Sequence, residues 1–175
     1  MRSDLKKLTL TGVLKAAALV TFVMELQLPP LTGIPGIKPG LANIFTLFAL
    51  CWLGRGWALA LMLVRVVLGC VVTGRMTALV YSLAGGCLAY LVMAALLYVI
   101  PERQLWVVSI FGAMAHNLGQ LLTARFVAGI AAIWYYLPVL LLSALITGLF
   151  TGLCAQLVLK RLRCGAERKK KGEST

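Results

Sequence analysis

Between Leu105 and Gly129 the chain reads LWVVSIFGAMAHNLGQLLTARFVAG, a stretch apolar enough to cross a bilayer. Its middle nevertheless carries the chain's single histidine, His116, with Asn117 and Gln120 close behind and Arg125 near the end. Within hydrocarbon every backbone polar group must be satisfied by the protein itself, which leaves helices or closed barrels. Polar side chains at that depth must face protein, water or a ligand. The stretch therefore belongs inside a bundle, and the rest of the chain has to shelter its polar seam. His116 and Gln120 share a helical face and Asn117 borders it. Two readings fit such a patch: hydrogen bonds that lock neighbouring helices together, or one wall of a hydrated binding cavity.

The remaining sequence supplies the bundle. With 61% hydrophobic residues and a mean hydropathy of +0.95, the chain lacks the polar residues needed to cover a soluble domain. Its apolar runs are continuous, without the alternation of barrel strands. At ~20 residues per crossing, the 175 residues predict an all-α integral membrane protein. The expected architecture is a compact bundle of about six transmembrane helices, residues 1–160, followed by a basic tail, 161–175, expected to be disordered. The polar breaks place the spans at Leu8–Leu28, Leu41–Leu53, Trp57–Thr73, Met76–Ile100, Leu105–Gly129 and Val139–Leu159.

Each span carries a distinguishing feature. In the first, Gly12, Ala16 and Val20 make a thin face suited either to packing within the bundle or to contact with a partner subunit. Pro29–Gly40, PPLTGIPGIKPG, cannot form regular structure and reads as an ordered loop, either a cap over an outward-facing cavity or a structured turn. The second span is short, with Asn43 just inside its start, so a helix N-terminus can point at a cavity. The third has Arg65 at its centre, a placement that costs at least ~2.5–3.5 kcal/mol on insertion scales. Glu25, backbone carbonyls, or a ligand carboxylate or phosphate could offset it. Gly85-Gly86 in the fourth allows close helix approach or a local break. Gly148 and Gly152 in the last form a GxxxG, a weak sign of self-association. Trp134, Tyr135 and Tyr136 suit a membrane interface.

The formal net charge of +12 is concentrated at the two ends of the chain, which points to anionic lipid headgroups and not to nucleic acid. With both termini cytoplasmic, thirteen positive residues lie inside against Lys38, Arg75 and Arg125 outside, with Arg65 within the membrane. A multi-pass protein of the cell membrane is expected. Five scattered cysteines without a CxxC pair, and one histidine, suggest neither metal site nor disulfide framework, and no cofactor pattern is present. No phosphate-binding loop is present, so ATP hydrolysis by the chain itself is not expected.

Two segments carry a family resemblance. ELQLPPLTGIPGIKPGLANIFTLFAL (Glu25 to Leu50) together with AHNLGQL (Ala115 to Leu121) resembles the bacterial Gx transporter family, which also bears the label heptaprenyl diphosphate synthase component I. Family members are similar to the substrate-binding S components of energy-coupling factor transporters, small six-helix membrane proteins that bind a vitamin-like substrate from outside and use separate ATPase subunits. The resemblance places Gly40, Asn43, His116, Asn117 and Gln120 at motif positions. It implies a lipid bilayer, a small-molecule substrate, and energy-coupling transmembrane and ATPase subunits as partners.

The residues and the resemblance together give the expected function: uptake of a small polar or anionic molecule. Arg65 or Arg125 would neutralise it, and Asn43, His116, Asn117 and Gln120 would hydrogen-bond it. The alternative is a non-catalytic accessory subunit of a polyprenyl diphosphate synthase. Catalysis itself is not expected. Magnesium-diphosphate chemistry needs clustered carboxylates, whereas Asp4, Glu25, Glu102, Glu167 and Glu173 are scattered.

Overall fold

A computed structural model of the chain describes residues 12–13, 16–21, 23–24, 41–129 and 131–172. Lys15, Glu25 and the Pro29–Gly40 loop lie outside the described residues. Helical turns at 12–13, 16–21 and 23–24 precede five helices: α1 (Asn43–Trp52), α2 (Arg55–Thr73), α3 (Met76–Leu96), α4 (Leu105–Ala128) and α5 (Leu137–Gly172). Short 3-10 turns, Glu102–Gln104 and Ala131–Tyr136, lead into α4 and α5. No strand occurs among the described residues.

Four segments are long and apolar enough to cross a membrane: Arg55–Thr73, Met76–Leu96, Glu102–Val127 and Trp134–Leu162. The second expected span is not of this kind. α1 has ten residues, and at 1.5 Å per residue it rises only ~15 Å, half a hydrocarbon core. The cause is local. Gly54, with φ of 91°, ends the helix and turns the chain straight into α2. The short second span expected from the sequence is thus a half-length helix beside four full-length ones, with the N-terminal segment partly described.

α4 is the centre of the bundle. Of its membrane-length window 61% is buried, against 28% for that of α5, and α4 packs most extensively on both α3 and α5. α1 touches all four other helices. Its second half joins the largest apolar cluster, where Leu47, Ala49 and Leu50 meet Ala58 and Leu61 of α2, Ala89 and Met93 of α3, Val108 of α4 and Ala155 of α5. The surface left over is apolar, as lipid requires: Val67, Leu68, Val71 and Val72 on α2, and Leu142, Ile146, Phe150 and Leu157 on α5, are exposed. Trp134, Tyr135 and Tyr136 are exposed beside the start of α5.

Glycine sets how closely α4 meets its neighbours. A Cβ on Gly119 would lie 2.9 Å from the Ala84 carbonyl oxygen, and one on Gly85 would lie 2.7 Å from the His116 carbonyl oxygen. Gly85-Gly86 therefore provides close approach, and α3 continues unbroken through it. A Cβ on Gly148 would lie 2.6 Å from Ile110 Cα, and one on Gly152 2.5 Å from Trp106 Cα. The GxxxG face is thus consumed inside the chain, against α4, and is not free for self-association. On the N-terminal segment the opposite holds. Gly12, Ala16 and Val20 are exposed, while Ala18 is buried in the main cluster. The last helix also extends beyond Leu159, its expected end, to Gly172. The added turns are rich in Lys, Arg and Glu, which are good helix formers.

Candidate functional site

The contacts between antiparallel helices fix which residues share a depth. Met62 of α2 lies against Gly86 of α3, and His116 and Gln120 of α4 lie against Gly85. Asn43 at the start of α1 meets Arg65 of α2. Counting 1.5 Å per residue from these contacts puts Asn43, Arg65, Ser82, His116, Asn117 and Gln120 in one layer about 9 Å thick. All six are buried: Asn43 at 7% exposure and Gln120 at 0% mark the extremes. Six polar side chains from four helices form a stratum across the interior at the midpoint of α2.

Packing divides the stratum into separate groups. In the first, Arg65 Nη2 donates to Asn43 Oδ1 at 3.0 Å. That bond turns the amide so that Nδ2, a donor, faces away from the guanidinium. Asn43 Nδ2 has no hydrogen-bond partner among the described residues, and neither has Thr46 Oγ1, one turn further along α1. The helix end here is bare of a side-chain cap, since Ala42 occupies the cap position. In the second group, His116 and Gln120 press onto Gly85, where the missing side chain makes room for the imidazole and the Gln120 stem. In the third, Asn117 turns to α5 and donates through Nδ2 to the Leu140 carbonyl at 2.8 Å, while its Oδ1 has no hydrogen-bond partner among the described residues. α2 and α4 do not pack side by side, because α3 lies between them.

Arg125 does not join any of these groups. It lies one turn before the end of α4 and donates through Nη1 to the Gly129 carbonyl at 3.4 Å, at the left-handed glycine that ends its own helix. Of the six expected residues, the fold brings Asn43 to Arg65 and His116 to Gln120. Asn117 sits at the same level but serves α5, and Arg125 stays at the helix end.

Three polar residues were missed in the sequence. Thr46 follows Asn43 by three positions, so it shares that face, and this spacing was the available signal. Ser82 is buried on α3 one turn before Gly85-Gly86. Ser109 lies 2.9 Å from Thr151. Thr151 Oγ1 donates to the Thr147 carbonyl at 2.8 Å, so Ser109 is the donor between them. Single hydroxyls in apolar runs commonly bond their own helix, as Thr73 does to the Gly69 carbonyl and Thr123 to the Gly119 carbonyl. Nothing in the sequence separates these from Ser109. No group of three metal-ligating side chains occurs among the described residues.

What this layer offers chemically is hydrogen bonding and one buried positive charge. A family model described as heptaprenyl diphosphate synthase component I matches residues 14–158, most of the chain. Neither a curated protein nor a solved structure matches.

Proposed function

From the premise that the chain belongs to the heptaprenyl diphosphate synthase component I family, we propose that it is a substrate-binding transport protein of the cell membrane. It takes up a small polar or anionic molecule from outside, as the resemblance to energy-coupling factor S components implies. The observation that carries this reading is the buried Arg65–Asn43 pair at the inner start of a half-length helix. Broken or shortened membrane helices border binding sites because their ends leave polar backbone where a ligand can use it. An arginine at this depth is costly unless something compensates for it, and a ligand is one such compensation.

In this reading both termini are cytoplasmic, residues 1–160 form the membrane domain, and the basic segment 161–175 lies at the inner leaflet. The bias of positive residues supports that orientation. Arg65 supplies charge, Asn43 orients it, and His116, Asn117 and Gln120 shape the neighbouring wall. Arg125 meets the substrate only on entry. Coupling energy comes from separate transmembrane and ATPase subunits, which can reach the exposed Gly12/Ala16/Val20 face. The test is purification in mild detergent, followed by mass spectrometry of co-purifying proteins and of small molecules released on denaturation. A released polar metabolite whose uptake falls in Arg65→Ala and His116→Ala supports the reading. Undiminished uptake in both variants defeats the site assignment.

The family description favours one second reading, a non-catalytic membrane subunit that holds a partner synthase during polyprenyl diphosphate synthesis. It expects a carboxylate-rich soluble synthase among the co-purifying proteins, and shorter polyprenyl products in a deletion strain. Normal product length would exclude it.

A further inference from the structure

At the start of α1, buried hydrogen-bonding atoms stand without a partner among the described residues. Asn43 and Thr46 are 7% and 1% exposed, more than nine-tenths buried, and both present hydrogen-bonding atoms without a partner among the described residues. The asparagine atom concerned, Nδ2, can only donate. The threonine hydroxyl can donate, and it stands on the same face of α1 one turn away. Arg65 is anchored beside them by its bond to Asn43 Oδ1. The N-terminal end of the ten-residue α1 adds the positive pole of its dipole, with no acidic side chain in its first turn and no side-chain cap to oppose it. α1, α2, α3 and α4 together contain no aspartate or glutamate, so no carboxylate on these helices competes for the donors.

A neutral polar ligand would bring donors of its own to a place already rich in them. A carboxylate brings only acceptors, and a phosphate chiefly acceptors. We infer that the first turn of α1, with Asn43 Nδ2, Thr46 Oγ1 and Arg65, is a buried seat for the oxyanion group of the ligand, a carboxylate or a phosphate. The inference rests on the substrate-binding reading and narrows it to anionic substrates. Thr46, which the sequence-based site does not include, becomes a specificity residue. Its hydroxyl selects the anionic group, and Arg65 supplies the charge.

The full chain in lipid nanodiscs is titrated with potassium phosphate and, separately, potassium acetate, against potassium chloride at matched ionic strength, and thermal unfolding is followed. At least one oxyanion should raise the midpoint saturably, by a few degrees, as ligand binding to the native state does. Thr46→Val keeps the shape of the side chain and removes the donor. It should weaken that oxyanion about tenfold, the usual loss for a hydrogen bond to a charged group. The unliganded midpoint should stay level or rise, because the variant no longer buries an unsatisfied hydroxyl. This pairing separates a binding role from a structural one and does not depend on an Arg65 variant that could fail to fold.

Three results would overturn the seat. One is the absence of any saturable oxyanion effect. Another is an unchanged oxyanion affinity in Thr46→Val. The third is an oxyanion effect seen only in Glu25→Gln, which would show that the chain's own carboxylate fills the place. A neutral metabolite recovered from the purified protein, without an oxyanion response, would sink the seat and leave the substrate-binding reading intact. A saturable response sensitive to Thr46→Val, in a protein that transports nothing, would keep the seat and remove transport.

Discussion

The two sides of α3 are built on opposite plans. On the α4 side, Gly85 and Gly119 let two backbones touch, and α4 repeats the arrangement with Gly148 and Gly152 of α5. On the α2 side the contact at the same depth is a flexible methionine, Met62 against Gly86, and beyond it the buried Arg65–Asn43 pair. Backbone contact through glycine leaves nothing free to rearrange, since packed cores respond to change by large steps and not by continuous deformation. The α1/α2 corner holds long side chains and hydrogen-bonding atoms with capacity to spare. His116 and Gln120 belong to the rigid side, and Asn43, Thr46 and Arg65 to the adaptable one. The polar residues are thus of two kinds at one depth, some clamped between backbones and some, Asn43 and Thr46, with hydrogen-bonding atoms that have no partner among the described residues.

Substitutions can break this contrast or sharpen it. The largest effect is expected at Gly152→Leu. Even a Cβ there meets backbone of α4 at 2.5 Å, so the loss should reach or exceed the usual overpacking range of about 1–3 kcal/mol. It should show as failure to recover monodisperse protein. A well-folded Gly152→Leu would mean the rigid side is not rigid. Next is Asn43→Ala, which leaves a buried guanidinium without the amide it donates to. A cost of about 1.5–3 kcal/mol in unfolding is expected. If it instead costs nothing, the adaptable side carries no structural share at all.

Asn117→Leu removes the bond to the Leu140 carbonyl and should cost about 0.6 kcal/mol, the average for hydrogen bonds between membrane helices, and no more than about 1.7 kcal/mol. It should leave ligand affinity unchanged if Asn117 belongs to the scaffold, and a selective loss of affinity would move it to the other side of the contrast. The smallest effect belongs to Arg125→Gln, on an exposed bond at a helix end. Stability should change by less than about 0.5 kcal/mol. An uptake defect in that variant would restore Arg125 to the substrate path.

The same contrast separates what the sequence reveals from what it conceals. The long helices are legible, because twenty apolar residues in water have few alternatives, and so is the cost of Arg65. Asn43 was legible through its place after a proline-rich loop. The pairing of Asn43 with Arg65 was not, because the two are 22 positions apart and only the Gly54 turn brings them level. The destination of the GxxxG face was equally hidden. Gly148 and Gly152 specify a close helix contact without naming the partner, and α4 turns out to supply it. Arg125 stands apart from the polar layer because an arginine near a helix C-terminus has a nearby use, its own last carbonyls. Helical spacing shows which residues share a face, and it does not show which neighbour that face meets.

The shortness of α1 reaches back to the moment of synthesis. A ten-residue helix, two of whose residues are the polar Asn43 and Thr46, is too brief to leave the insertion machinery and enter lipid alone, where ~17 or more apolar residues are needed. It has to wait until α2 has emerged and then enter with it as a hairpin bent at Gly54. The Arg65–Asn43 bond lies within that hairpin, so the arginine is expected to cross into hydrocarbon already accompanied. A nascent chain stalled with Trp52 just exposed should keep α1 at the aqueous face. One stalled after Thr73 should carry both helices, and the charge between them, into the bilayer.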